Sequence, residues 1–129
     1  MNSGLRILLT DDNLVNQRLA LRIVEKERHD VVVASNGYEA VEAVARSDFD
    51  VVLMDVQMPE IDGFEVTAAI RKAEMATRNH VPIIAMTAHA MRGDRKRCLA
   101  ADMDDYVSKP ISARGLLDII EKHSKLVHQ

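Results

Sequence analysis

Three carboxylates, a hydroxyl and an amine in this chain share one property: each follows a short apolar run. Leu5–Leu9 leads into Thr10, Asp11 and Asp12, and Val51–Met54 into Asp55. Val81–Met86 leads into Thr87, and Asp104–Ser108 into Lys109 and Pro110, whereas Val31–Ala34 ends without such a group. Gathered at one place, these groups suit phosphoryl chemistry. Three carboxylates in contact repel one another by kcal/mol rather than tenths at low effective dielectric. A divalent cation removes that penalty, and carboxylate, carbonyl and water ligands suit Mg2+, whose shell a substrate phosphate commonly completes. The backbone carbonyl of Gln57, two residues past Asp55, is a further candidate ligand. With the cation held by paired acids, Asp55 is the candidate nucleophile toward phosphorus, giving an aspartyl phosphate. Lys109 brings a mobile point charge and Thr87 a hydroxyl, which is the positioning and neutralisation that in-line transfer requires.

Each residue also has an ordinary structural use. Asp11 or Asp12 could cap a helix, Asp55 could sit in a turn before Met58-Pro59, Thr87 could cap the fourth helix, and Lys109 could be a solvated loop charge. All of these coinciding at the ends of apolar runs is far less expected than any one of them.

The elements that must position these groups are legible in outline. ILL, VVVA, VVLM and IIAM are short continuous apolar runs, as expected of parallel strands buried on both faces. Stretches of helical length lie between them. Leu14–Lys26 places Val15, Leu19 and Ile23 on one predicted apolar face. Gly37–Arg46 does the same with Tyr38, Val41 and Val44, behind Asn36 as N-cap and Glu39 at N3. Asp62-Gly63-Phe64-Glu65 opens a third helix running to about Ala76. Ala88–Ala100, with Gly93 inside it, and Ser112–Lys125, burying Leu116, Leu117 and Ile120, complete the set. Five βα units predict an open, doubly wound α/β sheet with right-handed crossovers, since they are too few to close a barrel. In the flavodoxin-like order 2-1-3-4-5 the first and third strands are neighbours, and ligands bind beyond the carboxyl ends where the order reverses. The second strand is then an edge, expected not to reach the site.

With 129 residues, 47% hydrophobic and 29% charged, the chain fits one soluble domain. A formal charge of -3 argues against nucleic acid binding by bulk electrostatics; the basic cluster Arg92, Arg95, Lys96 and Arg97 reads as a solvated helix face. One cysteine, Cys98, excludes an intramolecular disulfide. No apolar stretch of about 20 residues suggests a membrane span, so a cytoplasmic setting is expected. The seven methionines read as core filler, and His29, His80, His123 and His128 as surface residues.

The motifs TDDN at Thr10–Asn13, VVLMDVQMPEIDGFE at Val51–Glu65, MTAHAM at Met86–Met91 and YVSKP at Tyr106–Pro110 resemble the receiver domain of two-component response regulators. The resemblance covers about residues 5–122, leaving 1–4 and 123–129 as terminal extensions of a single domain. It implies that Asp55 is the phosphoacceptor and that Asp11, Asp12, Asp55 and the Gln57 carbonyl address Mg2+, with Mn2+ as a substitute. Thr87 and Lys109 would contact phosphoryl oxygens, the Lys109–Pro110 bond would be cis, and Tyr106 would act with Thr87 as the switch. Gln57 and His89 would flank the entrance and tune phosphate loss. The fourth helix, fifth strand and fifth helix would form the output face.

Asn13 with Asn16-Gln17, Gln57 before Met58-Pro59, and Thr87–Met91 narrow the resemblance to receivers of hybrid sensor kinases and phosphorelays. The implied partner is a sensor histidine kinase or histidine phosphotransfer domain docking near Leu14, Val15, Arg18 and Pro110, with Leu14 exposed and Val15 packed inward. A monomer, without nucleic acid or membrane insertion, is the expectation. Two rivals fare worse. A haloacid-dehalogenase-type phosphatase needs a second Asp where this chain has Gln57, which cannot protonate a leaving group. A flavin-binding module needs a hydroxyl- and Gly-rich loop where Asp11 and Asp12 would repel phosphate.

Overall fold

The computed structural model describes residues 4–77, 79–88 and 93–127. Ten elements alternate: β1 (Arg6–Thr10), α1 (Leu14–Lys26), β2 (Asp30–Ala34), α2 (Gly37–Arg46), β3 (Val51–Asp55), α3 (Gly63–Glu74), β4 (Ile83–Thr87), α4 (Asp94–Ala100), β5 (Asp105–Ser108) and α5 (Ala113–Val127). All strands are parallel, in the order β2-β1-β3-β4-β5. The register pairs Thr10 with Met54, Asp55 with Met86, and Thr87 with Ser108, so the carboxyl ends share one rim. The core lies in two layers. Ile7, Leu9, Leu53 and Met86 meet Ala20 and Val24 of α1 and Leu116 and Ile120 of α5. Leu8, Val52 and Met54 meet Ala40, Val66, Ile70 and Cys98 from α2, α3 and α4.

Helix starts follow their caps. Asn13 accepts from the Val15 and Asn16 N–H groups, Asn36 from Glu39, and Asp62 forms a complete capping box with Glu65. The inward face of α1 departs from the apolar spacing. Val15 is 73% exposed and Leu19 41%, while Gln17, Ala20, Ile23 and Val24 are buried. The side chain of Gln17 hydrogen-bonds inward to the main chain of Asp11, which turns a polar residue onto the core face and disguises the true stripe. Val15 is therefore not packed inward, and Tyr38, on the predicted face of α2, is also exposed.

The described fourth helix is Asp94–Ala100, and residues 89–92 of the predicted stretch Ala88–Ala100 lie outside the described residues. Gly93 is not inside it but precedes it, at φ 99°, a left-handed conformation that glycine adopts without steric cost. Among the described methionines Met54, Met58, Met86 and Met103 are buried and Met75 is exposed.

Three histidines expected at the surface have partners in the fold; His80 stays exposed, with its Nε2 2.7 Å from Asp104 Oδ1. His123 is buried, its Nε2 2.9 Å from Asp105 Oδ2, and ties α5 to β5. That contact helps hold the Asp105 carboxyl below its ordinary range although burial alone pushes it up. His29 Nδ1 accepts the Leu5 N–H at 3.0 Å, anchoring the start of β1. Burial pulls the His29 pKa below its ordinary 6.5, against the opposing pull of Glu27 and Asp50. Protonating Nδ1 removes the acceptor. Because the unfolded chain then binds the proton more readily, stability is full above 6.5 and falls as pH drops toward the folded-state value. Urea unfolding at about pH 7.5 and 5.5 should show a smaller acid loss in His29→Asn, whose amide oxygen accepts at any pH. An equal loss in both proteins would contradict this.

Candidate functional site

The rim collects side chains from four strand ends. Asp11, Asp12 and Asp55 each place a carboxylate oxygen within 4.8 Å of the others. Asp11 and Asp55 are 1% and 2% exposed, and Asp12 is open to solvent. Lys109 Nζ lies 3.0 Å from Asp55 Oδ1 and 3.8 Å from Asp11 Oδ2. Thr87 is buried at the end of β4, and its carbonyl accepts the Lys109 N–H at 2.8 Å. The Lys109–Pro110 peptide is cis.

The ordinary uses of these residues are taken by others. Asn13 caps α1, which leaves Asp11 and Asp12 free of that duty, and the N-cap of α4 is Gly93 rather than Thr87. Gly63 brings the start of α3 against the chain just past Asp55: a Cβ there would stand 2.7 Å from Val56 Cα and closer still to the Asp55 carbonyl.

The electrostatics are unbalanced. Burial pushes the Asp55 carboxyl above its ordinary 3.8 and Asp11 adds to this, while the Gln57 N–H and the Lys109 ammonium, both on Oδ1, oppose it. Two buried acids face one ammonium. Asp11 Oδ2 is buried with no hydrogen-bond partner, since 3.8 Å to Lys109 is an ion pair but too long for a hydrogen bond. An orphaned carboxylate oxygen beside two more carboxylates, in an all-oxygen donor set, fits a hard divalent cation such as Mg2+.

Tyr106 is half-buried, packed against the layer formed with α2, α3 and α4. Gln57 is exposed at the mouth, and His89 lies outside the described residues. Leu14, Val15 and Arg18 are all exposed on α1, beginning two residues after Asp12. Sequence reasoning named Gln17 only within the motif that narrows the resemblance and gave it no place at the site, where its amide donates to the Asp11 carbonyl. A polar residue at the position where α1 faces β1 was the available signal. Sequence reasoning passed over Ser35, which carries the edge strand's turn to within 3.3 Å of Gln17.

Residues 7–121 match the family model of the response regulator receiver domain. The chain belongs to that family. The receiver is 46% identical over 123 residues to the sensor protein GacS of Pseudomonas syringae, covering 94% of this chain and 14% of that one. It is 40% identical over 120 residues to hybrid signal transduction histidine kinase I of Dictyostelium discoideum, covering 89% and 7%. The receiver thus spans a small fraction of these curated relatives. The solved receiver domain of the Pseudomonas aeruginosa sensor histidine kinase PA1611, which has magnesium coordinated in its active-site cleft, is 38% identical, with a TM-score of 0.86 over 95% of this chain and 99% of that one. The receiver domain of Saccharomyces cerevisiae Ssk1, solved with the phosphotransfer protein Ypd1, is 25% identical with a TM-score of 0.88, covering 98% and 92%. No helix among the described residues of this receiver is long and apolar enough to cross a membrane.

Proposed function

We propose that this receiver accepts a phosphoryl group from a phosphohistidine onto Asp55 and changes partner affinity through Thr87 and Tyr106. The observation that carries the reading is the buried Asp55 carboxylate between an ammonium at 3.0 Å and two further acids. A carboxylate oxygen of Asp55 attacks phosphorus; the P–O bond forms as the P–N bond breaks, and the electron pair leaves with the imidazole nitrogen, which takes a proton. Asp11, Asp12, Asp55 and the Gln57 carbonyl would hold Mg2+, with Mn2+ able to substitute. When bound, that ion neutralises charge on the transferring phosphoryl oxygens. Lys109 supplies the complementary charge from the chain itself, and Thr87 supplies a hydroxyl from the neighbouring strand end. The same site, reached by water, would return Asp55 to the free acid slowly, with Gln57 and His89 at the entrance setting the rate.

The donor class follows from the relatives, which are hybrid and sensor histidine kinases, and from the solved pairing of a related receiver with a phosphotransfer protein. Leu14 and Val15, 64% and 73% exposed beside the acids, with Arg18, suit a helical partner surface at this rim, which Pro110 borders. The whole chain 1–129 acts as one receiver, core about 5–122, cytoplasmic and monomeric, either alone or within a hybrid kinase.

Magnesium linkage tests the metal half of this reading. At a hundred times its Kd the ion should stabilise the protein by about 2.7 kcal/mol, read as a higher melting temperature. Asp11→Asn should lose most of that increment while folding normally in chelator. An increment unchanged in Asp11→Asn would remove Asp11 from the metal site.

Lys109 can be tested separately. Lys109→Met should slow phosphorylation by a small donor by about 100- to 1000-fold, the usual cost of losing one charged donor to a developing oxyanion. Its magnesium affinity should stay or rise, because a like charge has left. A rate within a few-fold of wild type would contradict the role.

A further inference from the structure

The structure assigns Gln17 as a positioning residue for the carboxylate site, holding the Asp11 main chain so that one Asp11 oxygen stays free for the cation. This deepens the magnesium reading above and rests on it. Gln17 is 8% exposed on the core face of α1, among Ala20, Ile23 and Val24. Its Nε2 donates to the Asp11 carbonyl at 2.6 Å and to Ser35 Oγ at 3.3 Å. A carbonyl only accepts, so the orientation of the amide is fixed by its partner.

Asp11 is thereby fastened at three points. Its N–H donates to the Ala34 carbonyl at 3.1 Å, its carbonyl accepts from Gln17, and its Oδ1 accepts the Asn13 N–H at 2.9 Å. What remains is Oδ2, buried with no hydrogen-bond partner beside Asp12 and Asp55. Without the Gln17 amide, the carbonyl of a residue only 1% exposed loses its donor. The chain must then turn to find water, and the carboxylate turns with it. A buried amide is costly unless hydrogen-bonded, and an apolar side chain would suit the neighbours of Gln17 better. The second strand is also drawn in. Ala34 and Ser35 both reach Asp11, directly or through Gln17, so this edge supports the site that it does not line.

The test compares magnesium affinity with magnesium-free stability. Titration calorimetry with MgCl2 on the intact chain should give a Kd about ten-fold or more weaker in Gln17→Met, which keeps length and removes both donors. Gln17→Asn, which withdraws the amide by one methylene, should weaken binding similarly and serves if the first variant does not fold. Amide and carbonyl NMR shifts of Asp11 to Asn13 should move in both variants. A Kd within two-fold of wild type, with only the stability in chelator reduced, would leave Gln17 a packing residue and overturn the inference. Failure of the wild type itself to bind magnesium would instead overturn the parent reading.

Discussion

Asp55→Asn should abolish formation of the acyl phosphate and at the same time yield a more heat-stable protein in magnesium-free buffer near neutral pH. The first effect follows from chemistry: a neutral amide oxygen is not a nucleophile toward phosphorus at these rates. The second follows from the charge balance. Burial pushes the Asp55 carboxyl above its ordinary 3.8, with Asp11 adding to the shift and the Gln57 N–H and Lys109 opposing it. The folded state therefore holds a proton that the unfolded state has lost, and stability falls as pH rises from about 3.8 through the folded-state value. Asparagine carries no such loss and still accepts from Lys109 and Gln57 N–H. Thermal melts of both proteins in chelator at acid and neutral pH check this: the gap should widen toward neutral. A variant less stable than wild type at neutral pH would contradict the proposed cost of the charged site.

Arg71→Met should destabilise the fold by about 3–5 kcal/mol, the range for breaking a buried ion pair by removing one partner. Arg71 Nη1 is 2.7 Å from Glu74 Oε1 and 2.9 Å from the Val81 carbonyl; Nη2 is 2.7 Å from Asp104 Oδ2; Nε is 2.9 Å from the Asp102 carbonyl. The side chains of Arg71 and Glu74 are only 12% and 10% exposed. The same carboxylates accept the Val81 and Ile83 N–H groups, so this one guanidinium fixes α3, the entry into β4 and the loop before β5 together. Losing it leaves Glu74 charged and uncompensated inside the fold. The urea midpoint should drop accordingly, and adding Glu74→Gln should recover part of the loss. A drop below about 1 kcal/mol, the value of an exposed pair, would show the network to be solvent-screened.

The alternation of strands and helices, the strand order and the convergence of Asp11, Asp12, Asp55, Thr87 and Lys109 were legible because each depends on local pattern. Runs of Val, Ile and Leu mark parallel strands, buried in β1, β3 and β4 but not in the edge strand β2, where Val32 and Val33 are exposed for want of a neighbour. Carboxyl ends of neighbouring parallel strands must share a rim. What escaped depends on contacts that pattern does not carry. Gln17 interrupts the apolar stripe of α1 because its amide is spent on Asp11, so Val15 and Leu19 were assigned to a face they do not occupy. His123 reads as polar but is buried because Asp105, on the adjacent strand, receives it. Gly93 reads as a residue inside the fourth helix because residue types alone do not reveal a backbone's handedness. Its left-handed backbone instead stands at the entrance of the described helix. Arg71 looks like any surface arginine of an amphipathic helix until the chain beyond it folds back.

The most direct test of the central claim is phosphate incorporation from a small phosphodonor into the intact protein, with MgCl2 and with chelator, followed by mapping of the acid-labile group. The account predicts one phosphoryl group, on Asp55, formed only with the cation and absent from Asp55→Asn. Equal labelling of Asp55→Asn, labelling undiminished in chelator, or a phosphoryl group on another residue would contradict it.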